Sequence, residues 1–298
     1  MKKFSYMAAF GLILMLAMSC ATAKVTDTAD YAIDEYSVNI PIRDSEMPAS
    51  VIIPAGKGKF PLVVMAHGHG GSRDENGGYA NIAEELGKHG IATIRMDFPG
   101  CGDSKESFQL NTLSNMIDNI NASIEYMIGN YAIDKNSLGL FGYSMGGRIA
   151  LTMVNADESR FKGVVLLAPA GDGETMINFL GGQEAWDGYY ATAREKGYAD
   201  FTTIFGAEQE LSLEWFEDLL VADPLDEAAV FPGEALVIYG EDDFVVSPEV
   251  SKATAEALSC PALDVSGDTH SYSFYSDSPG IRSAILDGTI KTFVAAFR

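Results

Sequence analysis

Ser137-Leu138-Gly139-Leu140-Phe141-Gly142-Tyr143-Ser144-Met145-Gly146-Gly147-Arg148-Ile149-Ala150-Leu151 is the stretch from which the rest of this chain can be read. Ser137–Phe141 is a short apolar run of the kind that forms a buried strand, and Met145–Val154 is compatible with a helix. Between them, Gly142-x-Ser144-x-Gly146 puts a serine on a sharp strand-to-helix turn. Flanking glycines leave room for such a turn, and its geometry lifts the hydroxyl clear of the sheet. In a chain with 30 glycines the bare pattern is weak and also fits an ordinary glycine turn. Its position between strand and helix is what makes Ser144 a candidate nucleophile.

Outward from that stretch, short apolar runs alternate with longer amphipathic ones, the pattern of a mostly parallel sheet with helices on both faces. Strands are expected at Leu62–Ala66, Ile91–Met96, Ser137–Phe141, Gly163–Leu167, Ala235–Tyr239 and Ala262–Val265. Helices are expected near Tyr79–Lys88, Thr112–Ile128, Met145–Val154, Pro248–Leu258 and Ser283–Phe297. Tyr36–Ile42 and Ala49–Pro54 flank a polar turn and read as an antiparallel hairpin at the sheet edge. From Gly171 to about Ala222 no strand-like run occurs, yet Phe179, Trp186, Tyr189, Tyr190, Tyr198, Phe201, Phe205, Trp215 and Phe216 all lie there. A loop of that length without structure is improbable in a compact domain, so a small helical cap is expected over about 171–222.

The 298 residues are 47% hydrophobic and 21% charged, a balance that can bury a core, and the formal net charge of −22 makes nucleic acid and anionic membrane surfaces poor partners. Lys2 and Lys3 precede an uncharged run from Met7 to Ser19, too short for a bilayer span and suited to a secretory signal over 1–23. Two cuts compete. Ala21-Thr22-Ala23 suits ordinary cleavage, whereas Ala17-Met18-Ser19-Cys20 resembles a bacterial lipobox, which would end the signal at residue 19 and place a lipid anchor on Cys20. The expected location is therefore outside the cytoplasm: periplasmic, outer-membrane or secreted. Residues 24–298 then form one domain. Cys101 follows a strand and Cys260 precedes one, which puts them at opposite ends of a parallel sheet and out of reach of a disulfide.

A serine hydroxyl needs a base, and the chain offers His67, His69, His89 and His270. His89 closes a helix, while His67 and His69 belong to a glycine-rich turn. His270, in the loop after the last strand, can overhang the serine. The base in turn needs a carboxylate, expected between serine and histidine in chain order in this fold. Glu241, Asp242 and Asp243 all follow the strand Ala235–Tyr239 and compete for that role. Donors for an oxyanion are expected from the backbone N–H of Met145 and from the loop His67-Gly68-His69-Gly70-Gly71, most naturally at His69.

The order His-Gly-x-x-Gly, Asp97-Phe98-Pro99-Gly100-Cys101-Gly102-Asp103-Ser104, Gly-x-Ser-x-Gly-Gly, Gly240-x-x-Asp243-x-x-Val246, then His270 resembles the α/β-hydrolase superfamily over about residues 36–297. Val245-Val246-Ser247-Pro248 and the aromatic insertion are similar to bacterial cinnamoyl and feruloyl esterases and related acyl esterases. Two positions depart from that group: His69 stands where an aromatic is usual, and Tyr143 where histidine is usual. The resemblance selects Asp243 as the acid. It also implies an α/β-hydrolase fold, no cofactor, and hydrolysis of carboxylic esters through an acyl-enzyme on Ser144. With a cap over the strand ends, Trp186, Tyr189, Tyr190, Trp215 and Phe216 are the candidate substrate contacts, favouring aryl-acid or short acyl esters. Other acyl transfer, thioester or peptide cleavage on the same triad, and a catalytically silent binding protein, are the competing readings.

Overall fold

The computed structural model describes residues 23–298 apart from 29, 157–159, 205 and 222, so the expected signal over 1–23, all but its last residue, and the expected lipid anchor at Cys20 lie outside the described residues. Two long antiparallel strands, β1 (Ile33–Ile42) and β2 (Ser45–Pro54), open the fold as the expected hairpin. β3 (Phe60–Ala66), α1 (Gly78–Lys88), β4 (Ala92–Met96), α2 (Leu113–Asn130), β5 (Ile133–Tyr143), α3 (Met145–Ala156) and β6 (Phe161–Leu167) follow in alternation. Every residue of β3 and β4 is buried, as strands covered by helices on both faces require.

After β6 come α4 (Gly173–Phe179), α5 (Gln183–Lys196), the hairpin β7 (Tyr198–Thr202) and β8 (Glu208–Ser212), and α6 (Leu213–Val221). The expected all-helical cap is therefore corrected to a mixed one. In β7 and β8 buried and open positions alternate, with Asp200, Glu208 and Glu210 among the open ones. A strand packed on one face shows no continuous apolar run, which is why none was visible in the sequence. The chain then returns to the main sheet with β9 (Glu234–Tyr239), α7 (Pro248–Leu258), β10 (Ala262–Asp264) and α8 (Pro279–Ala296).

The eight-stranded sheet has the order β1-β2-β4-β3-β5-β6-β9-β10, antiparallel at the β1–β2 and β2–β4 pairings and parallel elsewhere. Register sets the functional edge. Ala66 pairs with Gly142, Tyr143 with Leu167, Leu167 with Ile238, and Tyr239 with Asp264, so β3, β5, β6, β9 and β10 all end on one line. The loops that begin at His67, Ser144, Ala168, Gly240 and Val265 consequently emerge side by side, where ligands of open parallel sheets bind. Cys101 and Cys260 are both free thiols. Among the described residues no helix is long and apolar enough to cross a membrane, and no cluster of three or more histidine, cysteine or carboxylate side chains could hold a metal ion.

Candidate active site

Ser144 occupies the turn between β5 and α3 with φ of 54°, left-handed backbone that a residue with a side chain rarely adopts. The turn is held where it is by neighbours. Ser144 donates its N–H to the Leu167 carbonyl at 2.9 Å, and its own carbonyl accepts from Arg148 and Ala170 at 3.0 and 3.1 Å. A Cβ at Gly142 would collide with the backbone of Gly146, and one at Gly146 with the carbonyl of Ala66, so both motif glycines are demanded by close approach of main chains. The serine hydroxyl is thereby raised to the cleft at the N-terminus of α3.

The loops from β9 and β10 bring the other two groups to it. His270 Nε2 lies 3.0 Å from Ser144 Oγ, and His270 Nδ1 lies 2.8 Å from Asp243 Oδ2. Asp243 is buried and fully engaged: Oδ1 accepts from the N–H groups of Val245 and Val246 at 2.9 and 3.0 Å, and Oδ2 also accepts from the Tyr272 hydroxyl at 2.8 Å. Burial pushes this carboxyl up, but the bonds from His270, Val246 and Tyr272 outweigh it and hold the group below the usual aspartate range. The neighbouring acids are occupied elsewhere. Asp242 accepts from the Gly267 N–H at 3.1 Å, and Glu241 pairs with Lys252 at 2.5 Å.

His67 and His69 are not bases for Ser144. His67 is buried, with Nδ1 2.8 Å from the Gly68 carbonyl and Nε2 3.1 Å from the Phe98 N–H. These partners fix one neutral tautomer, with Nδ1 donating and Nε2 accepting, and burial lowers its pKa to about 4. His69 Nε2 meets Gln209 Oε1 of β8 at 2.7 Å, amid the rings of Phe108, Phe179 and Trp215, and burial likewise lowers it to about 4. His89 closes α1 with Nδ1 2.8 Å from the Glu85 carbonyl, far along the chain from the cleft loops.

His69 and Met145, the two residues expected to offer oxyanion donors, line one cavity together with Ser144 and His270. Its volume is about 410 Å³. The apolar walls come from Met145, Ala170, Met176, Phe179, Val245 and Val246, and the exposed rings of Phe244 and Tyr275 stand at its mouth. The insertion thus contributes Thr175, Met176 and Phe179. None of Trp186, Tyr189, Tyr190, Trp215 and Phe216 lines the cavity, which corrects the expected substrate contacts. Trp186, Trp215 and Phe216 are buried against one another with ring centroids 5.0–6.0 Å apart, Tyr190 packs on Phe216, and Tyr189 packs on Phe201. A small cap needs a core of its own, and these rings supply it.

Glu75, Tyr272 and Tyr275 escaped the sequence reading, as did the contact made by Tyr143. Tyr143 gives its hydroxyl to the carbonyl of His270, and Tyr272 gives its own to Asp243. Glu75 is buried in the cavity wall and accepts from the Tyr275 hydroxyl and the Gly68 N–H. Burial lifts its carboxyl to about 7. One glutamate among 42 acidic residues gives no signal of burial in a sequence. The tyrosines are silent for a different reason, since each acts through a hydroxyl whose partner lies 29 to 200 positions away.

Residues 59–194 match the family model described as serine aminopeptidase, S33. Among curated proteins, the chain is 27% identical over 116 residues to a peroxisomal succinyl-coenzyme A thioesterase of Mus musculus, covering 39% of this chain and 25% of that protein. It is 27% identical over 164 residues to esterase EstD of Thermotoga maritima, covering 53% and 39%. The chain therefore spans well under half the length of these relatives. Of solved structures, Est1E of Butyrivibrio proteoclasticus with ferulic acid bound superposes with a TM-score of 0.70 at 21% identity, covering 86% of this chain and 98% of that one. The fold is that of the α/β-hydrolases, and the matched model and the relatives named are hydrolases.

Proposed function

We propose that this α/β-hydrolase cleaves carboxylic esters with Ser144 as nucleophile, His270 as base and Asp243 as the partner of the base. The observation that carries the proposal is the line Ser144 Oγ, His270, Asp243, with contacts of 3.0 and 2.8 Å, opening on a largely apolar cavity. The Asp243 carboxylate, held ionised, fixes Nδ1–H on the imidazole and leaves Nε2 free to take the serine proton. Attack on an ester carbonyl forms a tetrahedral oxyanion facing the N–H groups of Met145 and His69. Collapse expels the alcohol with the proton from His270, and water activated by the same histidine then releases the acid.

The Met145, Met176, Phe179, Val245 and Val246 walls favour aryl-acid or short acyl groups over long lipid chains, which a cavity of about 410 Å³ would not enclose. The thioesterase relative supports a thioester as a second reading, since it passes through the same acyl-enzyme. A fluorophosphonate probe that labels wild type but not Ser144→Ala, followed by a panel of aryl, short-chain and long-chain esters, thioesters and aminoacyl amides, tests the proposal. Absence of labelling, or turnover of amides alone, would overturn it.

Export belongs to the same proposal. Ala23 is buried and donates its N–H to the Lys59 carbonyl at 2.7 Å, a contact that a cut after Ala23 would remove, which supports processing before Cys20 and lipid attachment there. Radiolabelled palmitate incorporation into wild type but not Cys20→Ala is the expected result; an unlabelled chain whose mature N-terminus is Lys24 would refute it.

A further inference from the structure

We propose that Glu75 is a positioning residue for this site, a buried strut whose carboxyl ties the loop carrying the His69 donor to the segment that follows His270. The inference rests on the ester-cleaving reading above. Oε1 of Glu75 accepts the Gly68 N–H at 2.9 Å, one residue before His69. Oε2 accepts the hydroxyl of Tyr275, five residues after His270. The same carboxyl fills the space over Gly71, where any Cβ would collide with it. One side chain thus reaches both halves of the catalytic arrangement, the part that would receive the oxyanion and the part that holds the base.

The backbone bends sharply to put the carboxyl there. Glu75, Asn76 and Gly77 have φ of 40°, 52° and 89°, three consecutive residues in left-handed conformations, which glycine and asparagine tolerate and glutamate disfavours. Asn76 completes the clamp by donating from Nδ2 to the Phe274 carbonyl at 2.8 Å. On the far side, Tyr272 and Ser273 are also left-handed, with φ of 48° and 62°, so the segment clamped by Glu75 and Asn76 is itself held out of relaxed geometry. Strain at both ends of one contact marks a geometry imposed by the surrounding structure.

Among the described residues no cation pairs with the carboxyl. The titratable groups that face it are Tyr79, Tyr143, Tyr275 and Cys101, none of them basic, while the nearby Arg73 is committed to Asp97 and Asp103. What Glu75 offers is two acceptors aimed in two directions, and a displacement of the loop by even ~1 Å is enough to cost a catalytic step up to ~100-fold.

The test is steady-state kinetics on an aryl ester with Glu75→Ala, Glu75→Gln and Tyr275→Phe, with thermal melts and fluorophosphonate labelling of Ser144 alongside. Glu75→Ala should lower kcat ~10- to 100-fold with KM within ~3-fold, because substrate still enters the cavity but meets misplaced donors. Glutamine keeps an acceptor for Gly68 and a polar end for Tyr275, so Glu75→Gln should restore kcat to within ~5-fold of wild type. Tyr275→Phe removes one hydroxyl from a half-exposed residue and should cost kcat ~3- to 10-fold. A folded Glu75→Ala with wild-type kcat, a loss confined to KM, or a glutamine variant as impaired as alanine would overturn the strut. If Glu75→Ala does not fold, Tyr275→Phe decides: unchanged kcat refutes the inference. A wild-type chain that neither takes the label nor turns over esters would instead bring down the reading of the site itself.

Discussion

Around Ser144, the side chains of Asp243, His270, Tyr143 and Tyr272 are held by hydrogen bonds between loops of different strands, whereas in the insertion Trp186, Trp215 and Phe216 are held by ring contacts within a single short segment. The first arrangement fixes atoms to within a few tenths of an ångström because a hydrogen bond has a preferred length and direction. The second fills volume and tolerates several geometries. The candidate catalytic groups are accordingly concentrated in the loops. The insertion supports its own fold and lends the cleft only one edge, through Thr175, Met176 and Phe179.

The largest effect should come from the loop side. Ser144→Ala should lower turnover of an aryl ester ~10⁴-fold or more without shifting the melting temperature, since only the serine forms the covalent bond. A variant retaining a tenth of the activity would end the assignment. Asp243→Asn comes next, at ~10³- to 10⁴-fold in kcat, while Asp242→Asn should stay within ~3-fold because its carboxylate touches the Gly267 N–H and not the imidazole. The reverse ranking would move the acid.

On the insertion side the expected loss is in stability. Trp186→Ala should cost ~3–5 kcal/mol in urea unfolding, as truncation of a buried ring does, and leave KM for a small ester nearly unchanged. A changed KM in a stable Trp186→Ala protein would mean that the rings reach substrate after all.

Acid should loosen the loops before the sheet. The folded pKa of His67 is lowered to about 4 from 6.5, so its stabilisation is complete above the unfolded value and is lost as pH falls from about 6.5 through 4. Protonated Nε2 would confront the Phe98 N–H donor to donor, and the whole shift corresponds to roughly 3 kcal/mol. Unfolding free energies at pH 7 and pH 4 should therefore converge in His67→Asn relative to wild type; an equal acid loss in both would assign the sensitivity elsewhere.

The smallest effect is expected where the two regions meet. Phe179 is the insertion's ring in the cavity, and Phe179→Ala should raise KM for aryl-acid esters ~5- to 20-fold more than for acetyl esters, the worth of one apolar contact. Equal effects on both substrates would remove the insertion from substrate choice.

From the residues alone, the alternation of apolar and amphipathic runs determines the sheet, and the order glycine-serine-glycine, aspartate, histidine determines which groups meet. Both are local signals: a strand covered on both faces must be apolar throughout, and a sharp turn admits only small neighbours. Tertiary structure decided what depends on distance across the fold. Of three acids in a row, Glu241, Asp242 and Asp243, the resemblance favoured Asp243, and the approach of the His270 loop gives the physical contact that separates it from the other two. Aromatics in the insertion are equally hydrophobic wherever they point, so composition could not distinguish Phe179 at the cavity from Trp186 in the cap core. The charged faces of β7 and β8 hid a hairpin, and Glu75 resembles any surface acid until the Gly68 N–H and the Tyr275 hydroxyl converge on it. Where the deciding contact joins residues far apart in the chain, as for His270 with Asp243 or Tyr275 with Glu75, its energy exists only once the sheet has brought them together.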